Sequence, residues 1–189
     1  KSYYAYTKYQ SEKIIIKYAK KYNYDYAILR YFNIAGASSS NKIGEINSSH
    51  GHLFKNIAIQ SLKRKPVINV YGADYKTKDG TCVRDYMHVS DLSVAHVKAL
   101  KYLKEKSKSV ILNCGYGKGF SVKDVLKIVN QVNDKPISIK NGDRRAGDPS
   151  MLVSNVSKLH SLFDWQPKYN DLSFIVKTSI DWEKKLLNY

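Results

Sequence analysis

Tyr4, Ile15, Ile16, Ala19 and Tyr22 fall at helical spacing with lysines between them, which predicts an amphipathic helix over residues 4–22 that ends at Asn23. The run DYAILRYF, residues 25–32, suits a buried strand, and a polar loop rich in Ser, Asn and Gly follows it. The pattern next predicts a helix over residues 52–63, a short strand INVY at 68–71, and a turn-rich excursion DYKTKDGT at 74–81. CVRDYMHV then returns as a strand. Ser90 is placed to cap a helix over residues 91–104, SVILNC at 109–114 reads as another buried strand, and Ser121 starts the next helix. A helix near residues 171–187 closes the series. Strand and helix alternate, so an α/β architecture is expected, with a smaller mixed lobe of short strands and loops beside it.

Composition supports a folded chain. With 189 residues, 43% of them hydrophobic and 12% aromatic, there is enough apolar side chain for one sizeable core. Aliphatic runs no longer than Ile14 to Ile16 fall far short of the roughly 20 apolar residues of a membrane helix. Only Cys82 and Cys114 are present and no charged-then-apolar leader precedes Lys1, which points to a reducing cytoplasm without disulfides. Lys and Arg number 32 against 16 Asp and Glu, a net of +16. Such a charge suggests an anionic partner. The lysines, however, are spread through every segment alongside Tyr, Ile and Asn, as when an AT-rich coding sequence fills solvated positions. No nucleic-acid partner is expected. The five histidines show no spacing suited to a metal site, and none is expected.

In YAYTK, Tyr4 and Lys8 stand four apart and share one helical face. A phenol is ordinarily too weak a base near neutrality, but an adjacent ammonium favours the phenolate. By itself this pair is also what a surface helix in a chain of 16 tyrosines would show.

Its surroundings are more specific. Residues 4–37, YAYTKYQSEKIIIKYAKKYNYDYAILRYFNIAGA, resemble the catalytic helix, following strand and substrate loop of the extended short-chain dehydrogenase/reductases, and among them the UDP-glucose 4-epimerases. DYKTKDGTCVRDYMHVSDL at 74–91, LNCGYGKGFSV at 112–122 and RRAGDPSMLVSN at 144–155 resemble further segments of that family in the same order. The resemblance implies the C-terminal part of a Rossmann-type parallel sheet, interleaved over residues 1–189 with a smaller UDP-sugar-binding lobe. It also implies NAD as cofactor and 4-epimerisation of UDP-glucose and UDP-galactose through a 4-keto intermediate.

Carried over by motif, Tyr4 would be the base for the sugar hydroxyl and Lys8 would bind the nicotinamide ribose, with Tyr31 and Phe32 beside the nicotinamide. Asn33 would hydrogen-bond the UDP-sugar. Arg84 and Arg145 would grip the pyrophosphate, for which a planar guanidinium is suited, and Asp148 would accept from a ribose hydroxyl. His52 and Leu53 match a loop meeting the phosphates, and Asn69, Val70 and Tyr71 match the segment beside the uracil. Leu152 matches the position limiting sugar size, intermediate between the tyrosine of glucose-restricted members and the cysteine or serine of those taking N-acetylated sugars. A homodimer through the helix at residues 4–22 is implied as well.

Three features depart from or complicate the match. Ser2 and Tyr3 stand where the family usually has Asn and Pro. GYGKG at 115–119 follows a strand and precedes a helix, but its spacing is not GxGxxG, and it reads as a tight turn. Nothing before Tyr4 supplies a glycine-rich phosphate turn, an acidic ribose ligand or a catalytic Ser or Thr. A truncated unit that cannot hold NAD alone is therefore expected. The alternatives are a nucleotide-sugar dehydratase, another sugar-nucleotide epimerase of the superfamily, or an inactive dimerising remnant.

Overall fold

The computed structural model describes residues 3–46, 52–133 and 135–187. Ser2, His50 and the other residues of 47–51 lie outside the described residues. Helix α1 (Tyr3–Tyr22) ends as the spacing predicts, with Asn23 at a φ of 51°, a left-handed conformation that asparagine tolerates. The expected strand over 25–32 is divided into β1 (Ala27–Tyr31) and β2 (Asn33–Ala35). Helix α2 (Leu53–Ser61) follows, then β3 (Val67–Tyr71), β4 (Val83–His88) and α3 (Val89–Lys106). Next come β5 (Val110–Cys114), β6 (Gly119–Ser121), α4 (Val122–Val132) and β7 (Ser138–Gly142). β8 (Met151–Leu152), α5 (Ser157–Leu162) and α6 (Leu172–Leu186) complete the order.

Parallel pairing dominates: β1 with β5, β2 with β4, β3 with β7 and β4 with β8, while β6 runs antiparallel to β4. The division at Phe32 is a change of partner. The Phe32 amide still donates to the Cys114 carbonyl at 3.4 Å, and Asn33 then takes its register from Tyr86. One run of strand thereby serves two sheets. β7 was not anticipated because SIKNG is exposed at all five positions and carries no alternation to betray it.

Two helix starts show how local chemistry sets the boundaries. Ser121 caps α4 as expected, in a reciprocal capping box with Asp124. Ser90 does not cap α3. The helix begins at Val89, and His88 is its cap, accepting from the Ser90 amide at 3.1 Å through Nδ1. A histidine ring replaces the serine hydroxyl as acceptor because burial fixes its orientation. His88 is fully buried, its Nε2 is 3.2 Å from Thr178 Oγ1, and its ring packs against Tyr169 and Phe174.

That burial pushes the His88 imidazole below its ordinary range, against the opposing pull of Asp91 and a backbone contact to Ala37. The unfolded chain then takes up a proton more readily than the folded one. Stability contributed by neutral His88 is present above about pH 6.5 and declines as pH falls below it. Urea midpoints are expected to drop between pH 7.5 and 5.5, and His88→Asn is expected to flatten part of that drop.

Apolar side chains collect in two clusters on opposite faces of β4. Tyr86 joins Phe54, Ile57, Val70, Val125, Leu126, Ile175 and Val176, whereas Met87, one residue on, joins Ala95, Leu112, Leu159, Phe163 and Trp165. The two-residue period of a strand produces this division. Between α2 and α6, Lys55 and Glu183 form a buried ion pair with side chains 5% and 11% exposed, and Lys55 also donates to the Glu45 carbonyl at 3.1 Å. Removing one partner leaves a buried charge uncompensated. Lys55→Met is therefore expected to cost about 3–5 kcal/mol of stability by urea denaturation, whereas Lys55→Met with Glu183→Leu should cost much less.

Candidate functional site

A cavity of about 360 Å³ opens on the face of β4 that carries Arg84 and Tyr86, with Cys82 in the same alternation just before the strand. Its other walls are the start of α2, the strand β3 and the turn after β7. All but one of the expected substrate residues meet there: Asn33, His52, Leu53, Asn69, Val70, Tyr71, Arg84, Arg145 and Asp148. Leu152 is not among them. It lies on β8 in register with Arg84 and is 45% exposed outside the cavity.

Arg84 is the best-fixed of these groups. Its side chain is 9% exposed, and its guanidinium donates to Asp148 Oδ1 at 2.5 Å, to the Pro149 carbonyl at 2.8 Å and to the Val83 carbonyl at 2.7 Å. Arg145 stands with its guanidinium carbon 4.4 Å from the centre of the Tyr71 ring, a cation–π contact that draws the turn onto β3. The turn itself is short, the Asp148 amide donating to the Arg145 carbonyl at 3.2 Å across Gly147, whose φ is +75°. Arg144 secures its other side. It donates to Asp74 Oδ1 at 2.6 Å, and its guanidinium lies 4.4 Å from the Tyr75 ring centre. Gly72, at a φ of +83°, permits this because a Cβ there would stand 2.4 Å from a Tyr75 ring atom. Asn33 Nδ2 donates to the Asp85 carbonyl at 3.4 Å.

His52 occupies the N-cap position of α2, but its side chain caps nothing. Leu53 begins the helix, and Asn69 and Tyr71 are the outward positions of β3 around buried Val70. Burial pushes the Tyr86 phenol and the Cys82 thiol upward, so both stay neutral near pH 7. The cavity thus offers two guanidinium groups, amides and a flat ring, a set suited to binding an anion and a planar ring.

Tyr86 and Cys82 were missed as lining residues in the sequence. A period of two counted from Arg84 finds both. Phe54, Asn56 and Gln60 also line the cavity, and only the docking of α2 against β3 and β4 places them there.

The remaining expected residues lie elsewhere. Tyr4 and Lys8 are on the first turns of α1, with Lys8 Nζ 5.5 Å from the Tyr4 ring centre and Tyr4 71% exposed. α1 runs back along β1, tied to it by the Arg30–Glu12 ion pair at 2.5 Å. Its start, about 12 Å of helix beyond Glu12, therefore lies toward the C-terminal end of β1, where exposed Tyr31 and half-buried Phe32 sit. Ligand sites of parallel sheets form at such strand ends. An ammonium beside aromatic side chains is chemistry that suits a flat ring and a ribose. These four residues provide no phosphate cradle, and the GYGKG turn is not one, since its Tyr116 and Gly117 amides both donate to the Asp85 carboxylate at 3.0 Å.

A second cavity of about 590 Å³ lies between α2, α6 and the segment after β2. Several of its polar groups are engaged within the protein, Lys55 with Glu183 and Ser179 Oγ with the Gly36 amide. The smaller cavity, and not this one, carries the two guanidinium groups.

Comparison with known proteins bears on the same region. The NAD dependent epimerase/dehydratase family matches residues 1–115. The UDP-glucose 4-epimerase of Azospirillum brasilense is 42% identical over 159 residues, covering 84% of this chain and 46% of that protein. That of Halalkalibacterium halodurans is 38% identical over 182 residues, covering 96% of this chain and 54% of the relative. The chain spans about half the length of the curated relatives it matches. A crystal structure of UDP-glucose-4-epimerase from Stenotrophomonas maltophila, with bound NAD and formylated UDP-arabinopyranose, superimposes with a TM-score of 0.92 at 32% identity. The match covers 98% of this chain and 55% of that one.

Proposed function

The chain belongs to the NAD dependent epimerase/dehydratase family, and from that premise we propose that it serves the inversion of carbon 4 of a UDP-sugar, interconverting UDP-glucose and UDP-galactose. The observation that carries this reading is the cavity in which Arg84, Arg145 and Asp148 converge beside Asn33, Asn69 and Tyr71. Two fixed guanidinium groups suit a diphosphate, and a guanidinium fork grips phosphate oxygens in pairs. Tyr71 and the β3 backbone suit the base, Asp148 a ribose hydroxyl, and His52, Leu53 and Asn33 the sugar-phosphate end.

Chemistry falls to the other group of residues. Tyr4 accepts the proton of the sugar 4-hydroxyl as carbon 4 is oxidised, and returns it to the same oxygen after reduction from the opposite face. Lys8 holds the ribose beside the nicotinamide and favours the phenolate form of its neighbour. Tyr31 and Phe32 would hold the nicotinamide end of the cofactor. NAD, when bound, supplies the hydride acceptor and donor. Leu152, on β8 beside Arg84, bounds the sugar from outside the nucleotide cavity and sets its size.

In this reading the two apolar clusters are the cores of two interleaved lobes, a Rossmann-type portion around β1 and β5 and a nucleotide-sugar lobe around β3, α2, α4 and α6. The exposed Tyr6, Tyr9, Ile14 and Tyr18 of α1 support self-association as a homodimer. Among the described residues no helix is long and apolar enough to cross a membrane, and we assign the protein to the cytoplasm with no nucleic-acid partner.

The test is to supply the chain with the N-terminal half that its relatives carry, incubate it with NAD and UDP-galactose, and follow products by proton NMR. UDP-glucose should accumulate until the two sugars reach equilibrium. A 4-keto-6-deoxy product, or no conversion, contradicts the reading.

A further inference from the structure

The Asp85 carboxylate is fully buried, it is not a wall of the nucleotide cavity, and among the described residues no ion pair engages it. As the neighbour of Arg84 on β4 it points to the opposite face. Four donors converge on it. Oδ1 accepts the Tyr116 amide at 3.0 Å, while Oδ2 accepts the Gly117 amide at 3.0 Å, the Ser154 amide at 3.2 Å and the Ser154 hydroxyl. Successive backbone amides in a glycine-containing turn form the concave donor set that ordinarily receives a ligand anion. Here a side chain of the protein fills it. The approach is close enough to require Gly115, where a Cβ would stand 2.3 Å from Ser154 Oγ and 2.5 Å from Asp85 Oδ2.

The anchored segment matters for the site. Between Asp148, held by Arg84 on the cavity face, and Ser154, held by Asp85 on the opposite face, runs β8. Its residues pair with β4 in the register Val83 to Met151 and Arg84 to Leu152. The Val83 amide donates to the Ser150 carbonyl at 2.8 Å. Two consecutive β4 residues therefore pin the two ends of one seven-residue segment, and the Asp85 carbonyl also accepts from the Asn33 side-chain Nδ2.

We propose that Asp85 is a positioning residue for nucleotide binding: its carboxylate occupies the Gly115–Gly117 turn as an internal anion and sets where Arg84, Asp148 and Leu152 stand. The inference rests on the proposed UDP-sugar reading of the cavity. It also explains why GYGKG resembles a phosphate loop without serving as one.

Asp85→Asn would aim amide hydrogens at backbone donors and risks the fold, so Ser154→Ala, which deletes one hydroxyl, is the milder probe. UDP is titrated calorimetrically into the intact protein and the variant, well below either Tm. Ser154→Ala is expected to bind UDP about fivefold to tenfold more weakly, since the loss of a hydrogen bond to the Asp85 carboxylate is passed only in part to the site. The KM for the UDP-sugar should rise by a similar factor with kcat within about twofold. Leu159→Ala, a truncation in the other core, should lower Tm at least as much and leave UDP affinity within about twofold. Unchanged UDP affinity in Ser154→Ala, or equal weakening in Leu159→Ala, overturns the positioning role. Failure of the wild-type protein to bind UDP overturns the site reading, and this inference with it.

Discussion

Arg84→Ala is expected to weaken UDP binding by about 30-fold or more, the effect of removing one partner from a desolvated charged contact worth about 2–5 kcal/mol. Two losses combine. The diphosphate loses a cation that the protein holds in place beforehand, since the guanidinium is already fixed by Asp148 and by the carbonyls of Val83 and Pro149. Asp148 also loses its cation and stands as a free negative charge at the site meant for an anion. Arg84→Lys restores the charge but not the planar group that reaches Asp148 and the Val83 and Pro149 carbonyls at once, so it should recover only part of the affinity. Calorimetric titration of UDP into the three proteins measures the series directly. A ranking in which lysine equals arginine would mean that charge alone matters there.

Tyr4→Phe should separate chemistry from binding. A general acid–base group contributes about 10²–10⁴-fold to turnover, and kcat for UDP-galactose epimerisation should fall by that order. UDP affinity should stay within about threefold, because Tyr4 lies on α1 and lines neither cavity. Steady-state turnover paired with UDP titration of the same preparation is the measurement. Near-normal turnover would remove Tyr4 from the role of base, and lost UDP binding would mean that α1 packs against the nucleotide.

The difference between what could and could not be read from the chain follows residue by residue. The α1 boundary, the Ser121 cap and the alternation of β4 are local, set by spacing and by one side chain near its own backbone. They were legible. The break at Phe32 was not, because it depends on which strand, β5 or β4, supplies the next hydrogen bond. The His88 cap required knowledge that Thr178, Tyr169 and Phe174 would bury and orient the ring. β7 exists by pairing with β3, and its own residues carry no strand pattern.

The site divides in the same way. Resemblance pointed to nine residues that meet around one cavity although they are scattered from Asn33 to Asp148. No spacing rule could have assembled them, since β2, β3, β4 and the turn after β7 converge only through parallel pairing. Cys82 and Tyr86 were within reach of a period-two count from Arg84. Asp85 was not, because its carboxylate is defined by amides 31 and 69 positions away.

Equilibrium titration of the protein with UDP, and with uridine as comparator, decides whether the cavity beside β3 and β4 is a nucleoside-diphosphate site. One UDP should bind per chain, and uridine should bind at least about tenfold more weakly because it offers nothing to Arg84 and Arg145. Uridine binding as tightly as UDP, or no saturable UDP binding, would contradict the account.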